Sequence, residues 1–585
     1  MTTSDTRDAQ QTIEQIIRLA DAGCEIARIT VQGKKEAESC EAIKNGLIAR
    51  GYSIPLVADI HFYPPAAMVV APFVDKIRIN PGNFVDRRAT FRVIEYDDAA
   101  YSQELLKIEE GFSPLVELCK RLKKAIRIGA NHGSLSDRIM NRYGDSPRGM
   151  VESALEFARI CRQYDFHNFL FSMKASNPIV MIQAYRLLVA EMDRLGWDYP
   201  LHLGVTEAGE GEDGRIKSSI GIGSLLLDGL GDTIRVSLTE DPWSEIDPCR
   251  RLVRFFEEKK GKGIEPFGET HRNVEEIAAR PTTQSAPLHS GGTVMVKITA
   301  ADLLHPDFIL QLGAKTELGQ IKKGIDTPDL LWIDEVPLEA APLARKLIEA
   351  GIGILSSKPL PGAYLLSNLP QSTPYALLTH TEKLPSFERK PDWIVFQPLT
   401  SPLHETRRFV DQLKSAESDI PVLLAFSYPC DAEDLPIHAG AELGACLADK
   451  LAEGICLLAN QPIESLRRLS FNLLQGARMR TTKTDFISCP GCGRTLFDLQ
   501  EVSRRIREKT AHLPGVKIAI MGCIVNGPGE MADADFGYVG SKTNHIDLYV
   551  GKSCVERNIA FADADERLIN LIKVHGKWED PIDLS

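Results

Sequence analysis

The stretch AIRIGA at residues 125–130 is followed by SALEFARICRQY at residues 153–164 and by FLFSMK at residues 169–174. The first and third segments are short apolar runs typical of buried strands, and the second has the apolar spacing of an amphipathic helix. A strand, a helix and a strand in this order predict a parallel β-α-β unit. The same alternation runs from residue 5 to about residue 256, so the sequence predicts an N-terminal α/β domain.

Seven strands are predicted in this N-terminal domain. They cover residues 25–31, 55–60, 76–80, 125–130, 169–174, 201–206 and 233–238. A TIM barrel has eight strands, so the count predicts a TIM-type barrel with one strand missing. No GxGxxG motif follows an early strand, which argues against a dinucleotide-binding domain.

Length and composition limit the remaining possibilities. A chain of 585 residues should form several domains, and we predict a substrate-binding barrel at 1–260, an α/β spacer at 261–480 and a small α+β domain at 481–585. The net charge of −12 argues against nucleic-acid binding, and no apolar run is long enough to span a membrane. Twelve dispersed cysteines suit a reducing, cytoplasmic location; a homodimer is compatible with the sequence.

Polar side chains lie within or just after the predicted strands. They are Arg28, Asp59, Arg78, Asn80, Arg127, Asn131, Lys174, Thr206, Glu207, Arg235 and Ser237. In an α/β barrel such positions converge on the active face. A single arginine at a strand end often pairs with a carboxylate at the rim, but four arginines and a lysine at five strand ends predict a pocket for a multiply charged anion.

Two further features near the last strands are candidates for function. Glu207 follows the sixth predicted strand, where a carboxyl can transfer a proton or merely orient an arginine. The segment KSSIGIG at residues 217–223 is predicted to open a helix, where free N–H groups could bind phosphate.

Three cysteines stand in two Gly/Pro turns near the C-terminus. SCPGCGRT at residues 488–495 contains Cys489 and Cys492, and GCIVNGPGE at residues 522–530 contains Cys523 and ends in Glu530. The spacing is compatible with a zinc knuckle or with unliganded core cysteines. Because neither turn offers a fourth Cys or His, three thiolates and the weaker oxygen ligand Glu530 favour an iron-sulfur cubane.

These motifs resemble the 4-hydroxy-3-methylbut-2-enyl diphosphate synthase family, in its longer plant and chlamydial type. The resemblance rests on CPGCGRTLFDLQ and MGCIVNGPGE, and upstream on VADIHF, KIRINPGN, IRIGANHGSL, SMKASNP, HLGVTEAGEG, KSSIGIG and GDTIRVSLT, all in the same order. The resemblance implies that the strand missing from the barrel is the first. It implies that Arg28, Arg78, Arg127, Asn131, Lys174 and Ser237 bind the cyclic diphosphate and that Glu207 transfers a proton. We add Arg235 to the predicted substrate contacts.

The resemblance also implies a reaction and its partners. The substrate is expected to be 2-C-methyl-D-erythritol 2,4-cyclodiphosphate, which undergoes reductive ring opening at a [4Fe-4S] cluster held by this chain. A ferredoxin or flavodoxin is expected to donate the electrons. Two rivals remain open from the residues alone. One is a barrel lyase or transferase with a structural zinc in its tail, and the other is an electron carrier with no substrate.

Overall fold

The structure is a computed structural model that describes residues 1–86, 96–283, 286–371, 374–381, 389–525, 527–531 and 533–580. The chain forms two compact units, one made of residues 1–250 with 483–585 and the other of residues 251–482. The predicted three-domain division, whose last five residues lie outside the described part, stays a prediction.

The N-terminal segment alternates strands and helices from its first helix onward. Its strands are β1 (Ala27–Val31), β2 (Leu56–Ile60), β3 (Lys76–Ile79), β4 (Ala125–Asn131), β5 (Phe169–Lys174), β6 (His202–Leu203) and β7 (Thr233–Ile234). Its helices are α1 (Ala9–Asp21), α2 (Lys34–Ala49), α3 (Pro64–Val70), α4 (Pro81–Phe84), α5 (Asp98–Leu122), α6 (Asp137–Tyr143), α7 (Pro147–Gln163), α8 (Pro178–Arg194), α9 (Gly211–Leu227) and α10 (Ile246–Lys259), with a 3-10 turn at Pro242–Glu245 before α10.

The seven strands lie side by side in chain order. Strands β1 to β5 form one parallel sheet, a bridge from Phe171 to Leu201 continues it, and β6 pairs with β7. This arrangement confirms the predicted TIM-type fold with seven strands. Strands β6 and β7 are shorter than predicted, and the chain after each of them turns toward the site described below.

The middle unit contains a second set of strands and helices. Its strands are β8 (Thr293–Lys297), β9 (Ala314–Glu317), β10 (Gln320–Lys323), β11 (Leu330–Ile333), β12 (Gly353–Ser356), β13 (Tyr364–Ser367), β14 (Tyr375–Thr379), β15 (Trp393–Phe396), β16 (Val422–Ser427) and β17 (Gly454–Leu458). Its helices are α11 (Ala300–Leu303), α12 (Phe308–Gln311), α13 (Ala341–Glu349), α14 (Pro402–Ser415), α15 (Leu435–Ala448) and α16 (Ile463–Gly476), with a 3-10 turn at Leu338–Ala340.

Eight strands of the middle unit close into a parallel barrel. Their order is β11-β12-β13-β14-β15-β16-β17-β8, and β9 pairs with β10 as a separate hairpin. The core of this unit is apolar and includes Trp332, Trp393 and Leu423. It differs in this respect from the N-terminal barrel, whose strands carry buried arginines.

The C-terminal segment is a small α+β layer. Its elements are β18 (Asp485–Ser488), α17 (Leu499–Thr510), β19 (Lys517–Met521), α18 (Gly527–Glu530), β20 (Phe536–Lys542), β21 (His545–Val550), β22 (Ser553–Ala560) and α19 (Phe561–Val574). The strands follow one another in the order β18 to β22, and the helices pack apolar residues such as Ile506 and Leu568 against the sheet. No helix in the described part of the chain is long and apolar enough to span a bilayer.

Candidate functional site

One cavity brings the predicted site residues together. The barrel contributes Arg28, Arg78, Arg127, Asn131, Lys174, Glu207, Arg235 and Ser237, and the C-terminal segment contributes Cys489, Cys492, Cys523 and Glu530. The empty volume, including the part open to solvent, is about 660 Å³. The predicted catalytic and cluster-binding residues and these strand-end residues therefore line the same space, although their roles remain predictions. Asn80 does not line it, since it is buried and donates through Nδ2 to Ser134 Oγ at 3.2 Å.

Backbone contacts hold the C-terminal segment against the barrel mouth. Ala208 forms a parallel bridge with Ser488, the last residue of β18. The Thr239 hydroxyl donates to the carbonyl oxygens of Ser488 at 3.2 Å and of Cys489 at 3.0 Å. The first cysteine turn is thus fixed beside Glu207 and the loop after β7.

The KSSIGIG segment does not form the predicted phosphate-binding helix start. Helix α9 begins at Gly211, so residues 217–223 lie inside it and their N–H groups belong to helical backbone. The ammonium of Lys217 instead donates to Asp485 Oδ1 at 2.6 Å and to the carbonyl of Phe486 at 3.0 Å. Gly221 serves close packing, because a Cβ there would lie 2.5 Å from Val205 and 2.8 Å from Met181. This prediction was wrong because the small residues provide packing space.

Replacing Lys217 with methionine is expected to destabilise the protein. Lys217 and Asp485 are almost fully buried, with side-chain exposures of 6% and 2%, and removing one partner of a buried pair costs about 3–5 kcal/mol. Lys483→Met is the matched control, because its 2.8 Å pair with Asp213 is partly exposed and should contribute about 0–1 kcal/mol. Urea unfolding measures both variants, and equal midpoints would contradict the expectation.

The barrel side of the cavity carries an excess of buried positive charge. Burial lowers the pKa of Arg127 well below its ordinary value, and the neighbouring Arg28 and Arg78 lower it further. Burial likewise lowers the pKa of Lys174, with Arg127 and Arg235 adding to the effect. Burial also lowers the pKa of Arg28 to about 10. Cations that repel one another in a water-poor site favour a multiply charged anion.

Two of the predicted anion-binding arginines are already paired. Arg235 donates through Nε and Nη2 to the carboxylate of Glu245 at 3.0 and 2.8 Å. Arg78 donates to Asp59 Oδ1 at 2.9 Å and to Asn131 Oδ1 at 3.2 Å. Burial lowers the pKa of His61 to about 4, so the neutral ring accepts from Arg78 through Nε2 at 2.7 Å. These partners fix the direction of both guanidinium groups.

Glu207 lies between the cationic side and the C-terminal turns. Its φ of 50° is in the left-handed region, which costs energy for a residue other than glycine and is often found at functional sites. Burial raises the pKa of Glu207 well above its ordinary value, and Glu530 raises it further. In the described part of the chain, Glu207 Oε2 is buried without a partner. A protonated carboxyl here could donate a proton to a bound ligand.

Glu530 is held by the barrel as well as by its own turn. Asn131 Nδ2 donates to Glu530 Oε1 at 2.8 Å, and Arg78 holds the other end of the Asn131 amide. Gly529 allows this approach, because a Cβ there would lie 2.5 Å from the carbonyl oxygen of Gly133. The carboxylate of Glu530 therefore faces the cavity in an orientation set by two barrel residues.

The three cysteine thiols fit a sulfur-ligated cofactor. Cys489 Sγ accepts from the Gly522 N–H at 3.3 Å, and Cys492 Sγ accepts from Arg494 Nε at 3.3 Å. Burial raises the pKa of Cys489, and the thiols of Cys492 and Cys523 raise it further. N–H donors aimed at sulfur stabilise thiolate ligands. No three His, Cys, Asp or Glu side chains among the described residues converge on a single ion.

The sequence analysis missed Arg494 as a site residue. It lies in the first cysteine turn, is 8% exposed and has Nη2 3.7 Å from Asp59 Oδ2. Burial opposes its charge, yet Cys492 and Asp59 raise its pKa above the ordinary value. The available signal was an arginine two residues after a candidate ligand, Cys492, in a turn otherwise made of small residues.

Comparisons with known proteins agree with this organisation. A family model described as GcpE TIM-barrel domain matches residues 1–250, and one described as GcpE protein C-terminal domain matches residues 485–574. A 4-hydroxy-3-methylbut-2-en-1-yl diphosphate synthase (flavodoxin) of Protochlamydia amoebophila is 56% identical, with 99% of this chain and 93% of the relative covered.

Two further relatives carry the same enzyme name. The chloroplastic ferredoxin-type synthase of Oryza sativa subsp. japonica is 52% identical over 99% of this chain and 85% of its own length. The flavodoxin-type synthase of Chlamydia caviae is 46% identical over 99% of this chain and 94% of its own length. The similarity thus extends through the middle unit, which the two family models leave unmatched.

Proposed function

This chain belongs to the GcpE family, and on that premise we propose that it converts 2-C-methyl-D-erythritol 2,4-cyclodiphosphate into (E)-4-hydroxy-3-methylbut-2-enyl diphosphate. The observation that supports this most strongly is the single cavity in which a cationic barrel mouth faces three thiols and a buried carboxyl pair. The conversion consumes two electrons and two protons and releases one water.

The substrate would be bound by its two phosphate groups. Arg28, Arg127 and Lys174 are the cations whose pKa values are lowered by burial, with neighbouring cations adding to the effect. Arg78 and Arg235 would add directed N–H donors, since Asp59 and Glu245 fix their orientation. Asn131 and Ser237 complete the predicted contacts at the same mouth. Guanidinium groups bind phosphate through paired hydrogen bonds, which also orient the ring.

The thiolates of Cys489, Cys492 and Cys523 would hold a [4Fe-4S] cluster, with Glu530 as the oxygen ligand of the fourth iron. This assignment rests on the donor set and on the N–H groups directed at two of the sulfurs. When bound, the cluster would supply single electrons and an exchangeable coordination position. Asn131 would hold Glu530 in place, and Glu207 would give a proton to the departing oxygen.

The electron donor is proposed to be a flavodoxin or a ferredoxin, the two donors printed in the names of the relatives. A cytoplasmic location and a homodimer stay predictions. The twelve cysteines are free thiols in the structure, which is compatible with a reducing compartment. The rival lyase or transferase with a zinc tail is not favoured, because the relatives carry the synthase name over nearly the whole chain. The second rival, an electron carrier with no substrate, does not explain the cationic cavity.

The proposal is tested with protein purified without oxygen. Iron, acid-labile sulfide and the visible spectrum are measured first, and the chain is then incubated with the cyclic diphosphate and a chemical reductant. We expect iron with matching sulfide, and formation of the allylic diphosphate in the presence of both reagents. Zinc without sulfide, or a loaded protein that leaves the cyclic diphosphate unchanged, would refute the function.

Substrate affinity is expected to fall as pH rises through the pKa of Lys174. This pKa is depressed by burial and then by Arg127 and Arg235, with Arg28 and Arg78 facing the same ammonium. Affinity falls with rising pH because only the protonated amine of Lys174 attracts the anionic substrate. Because the pKa of Lys174 is lowered, this loss of affinity begins at a lower pH than it would for an ordinary lysine. Bound substrate should raise the pKa again, so binding takes up protons.

Isothermal titration across neutral and alkaline pH measures this effect. Lys174→Met should bind weakly at neutral pH, and its affinity should approach that of the wild type at high pH. Lys124→Met, outside the cavity, should follow the wild type throughout. A constant ratio of wild-type to Lys174→Met affinity at every pH would contradict the expectation.

A further inference from the structure

Arg494 places a fixed positive charge beside one of the three thiols. Its side chain is turned inward from the first cysteine turn, and Nε donates to Cys492 Sγ at 3.3 Å. Nη2 lies 3.7 Å from the Asp59 carboxylate, and Nη1 is buried without a partner among the described residues. A guanidinium remains charged under all ordinary conditions, so this charge is permanent.

The local backbone holds Arg494 in this direction. The Cys492 N–H donates to Thr495 Oγ1 at 2.9 Å, and the Thr495 N–H donates to the carbonyl of Cys492 at 2.9 Å. The Leu496 N–H then donates to the carbonyl of Gly522 at 3.0 Å, which ties the two cysteine turns together. Arg494 lies in the middle of this hydrogen-bonded turn, so its backbone position is fixed and its side chain leaves the turn in a defined direction.

A purely structural role explains these contacts poorly. The approach to Asp59 is longer than a normal charge-assisted hydrogen bond, and Asp59 is already bound by Arg78 at 2.9 Å. Burying a guanidinium with one unsatisfied nitrogen is unfavourable. The hydrogen bond from Arg494 Nε to Cys492 Sγ has the best geometry of its contacts, which indicates a role at the thiolate centre.

We propose that Arg494 sets the reduction potential of the iron-sulfur centre through the N–H···S contact with Cys492 and its adjacent charge. This inference rests on the proposed function, because it requires a cluster at the three thiolates. Reduction adds negative charge, and both a cation and a hydrogen bond to a ligand sulfur stabilise the reduced form. Arg494 thus acts through Cys492 as a positioning residue and makes the centre easier to reduce.

The test is a redox titration of the full chain, loaded without oxygen and followed by electron paramagnetic resonance. Arg494→Met removes the charge and the donor, and should shift the midpoint potential to more negative values. Arg494→Lys keeps the charge but cannot reproduce the Nε contact, so a smaller shift in the same direction is expected. Arg504→Met is the control, because Arg504 is exposed on α17 and pairs only within that helix in the described structure.

Iron and sulfide are measured on every sample, so the two hypotheses can fail separately. Wild-type protein without iron and labile sulfide would refute the proposed function. Wild-type protein with a cluster, beside loaded Arg494 variants of unchanged potential, would overturn only the role of Arg494. Loss of iron from both Arg494 variants would also overturn it, because the residue would then be needed for assembly. If Arg494→Met cannot be loaded with iron, a more negative midpoint potential in loaded Arg494→Lys alone supports the proposed role of Arg494.

Discussion

Cys489→Ser is expected to lose iron, visible absorption and activity together. Cys489 follows β18 directly, and its thiol accepts the Gly522 N–H at 3.3 Å, so it faces the cavity from a fixed position. A serine hydroxyl is a hard, weakly acidic ligand and does not replace a thiolate on iron. With two thiolates left, three irons of the cubane cannot all be held, and turnover should fall below detection.

Two variants sharpen this prediction. Cys554→Ser is the matched control, because Cys554 lies in the same small domain on β22 but outside the cavity, and it should keep iron and activity. Glu530→Ala removes the proposed oxygen ligand while leaving the three cysteines, and should keep iron but weaken turnover. Iron analysis and the visible spectrum decide the matter. A Cys489→Ser protein with full iron content would exclude this cysteine as a ligand.

Much of the fold could be predicted because the N-terminal strands are continuous apolar runs. Strand β5 has its predicted bounds, and β2, β3 and β4 each differ from theirs by one residue. Strands β6 and β7 have only two residues each, although the sequence predicts strands over 201–206 and 233–238. Short strands gain their stability from neighbours in the barrel, which local sequence does not reveal.

The site was predictable where a topological rule applied. The ends of parallel strands meet at one face, so Arg127 and Lys174 could be placed together without coordinates. Pairings between distant segments could not be predicted, as Asn131 and Glu530 are 399 residues apart. Arg235 and Glu245 are only ten residues apart, but their ion pair depends on the 3-10 turn at Pro242–Glu245. Which cation stays available for substrate is decided by such tertiary partners.

Glu207→Gln is expected to lower kcat by about 10²- to 10⁴-fold, the usual contribution of a positioned acid or base. The reaction needs protons at the departing oxygen, and Glu207 is a buried carboxyl whose pKa is raised by burial and by Glu530. Glutamine has the same size and accepts the same backbone conformation, but it has no acidic proton. Because Arg127 and Lys174 are untouched, KM for the cyclic diphosphate should change little.

The control for this prediction is Glu210→Gln. Glu210 lies three residues further along the same loop and pairs with Arg507 at 2.8 Å rather than facing the cavity, so its kcat should remain near the wild-type value. Iron content must be unchanged in both variants, since Glu207 is assigned no part in holding the cluster. A Glu207→Gln enzyme with normal kcat would show that the proton comes from solvent or another group. A raised KM with normal kcat would instead make Glu207 a binding residue, because the loss would then fall on ground-state affinity rather than on the proton-transfer step.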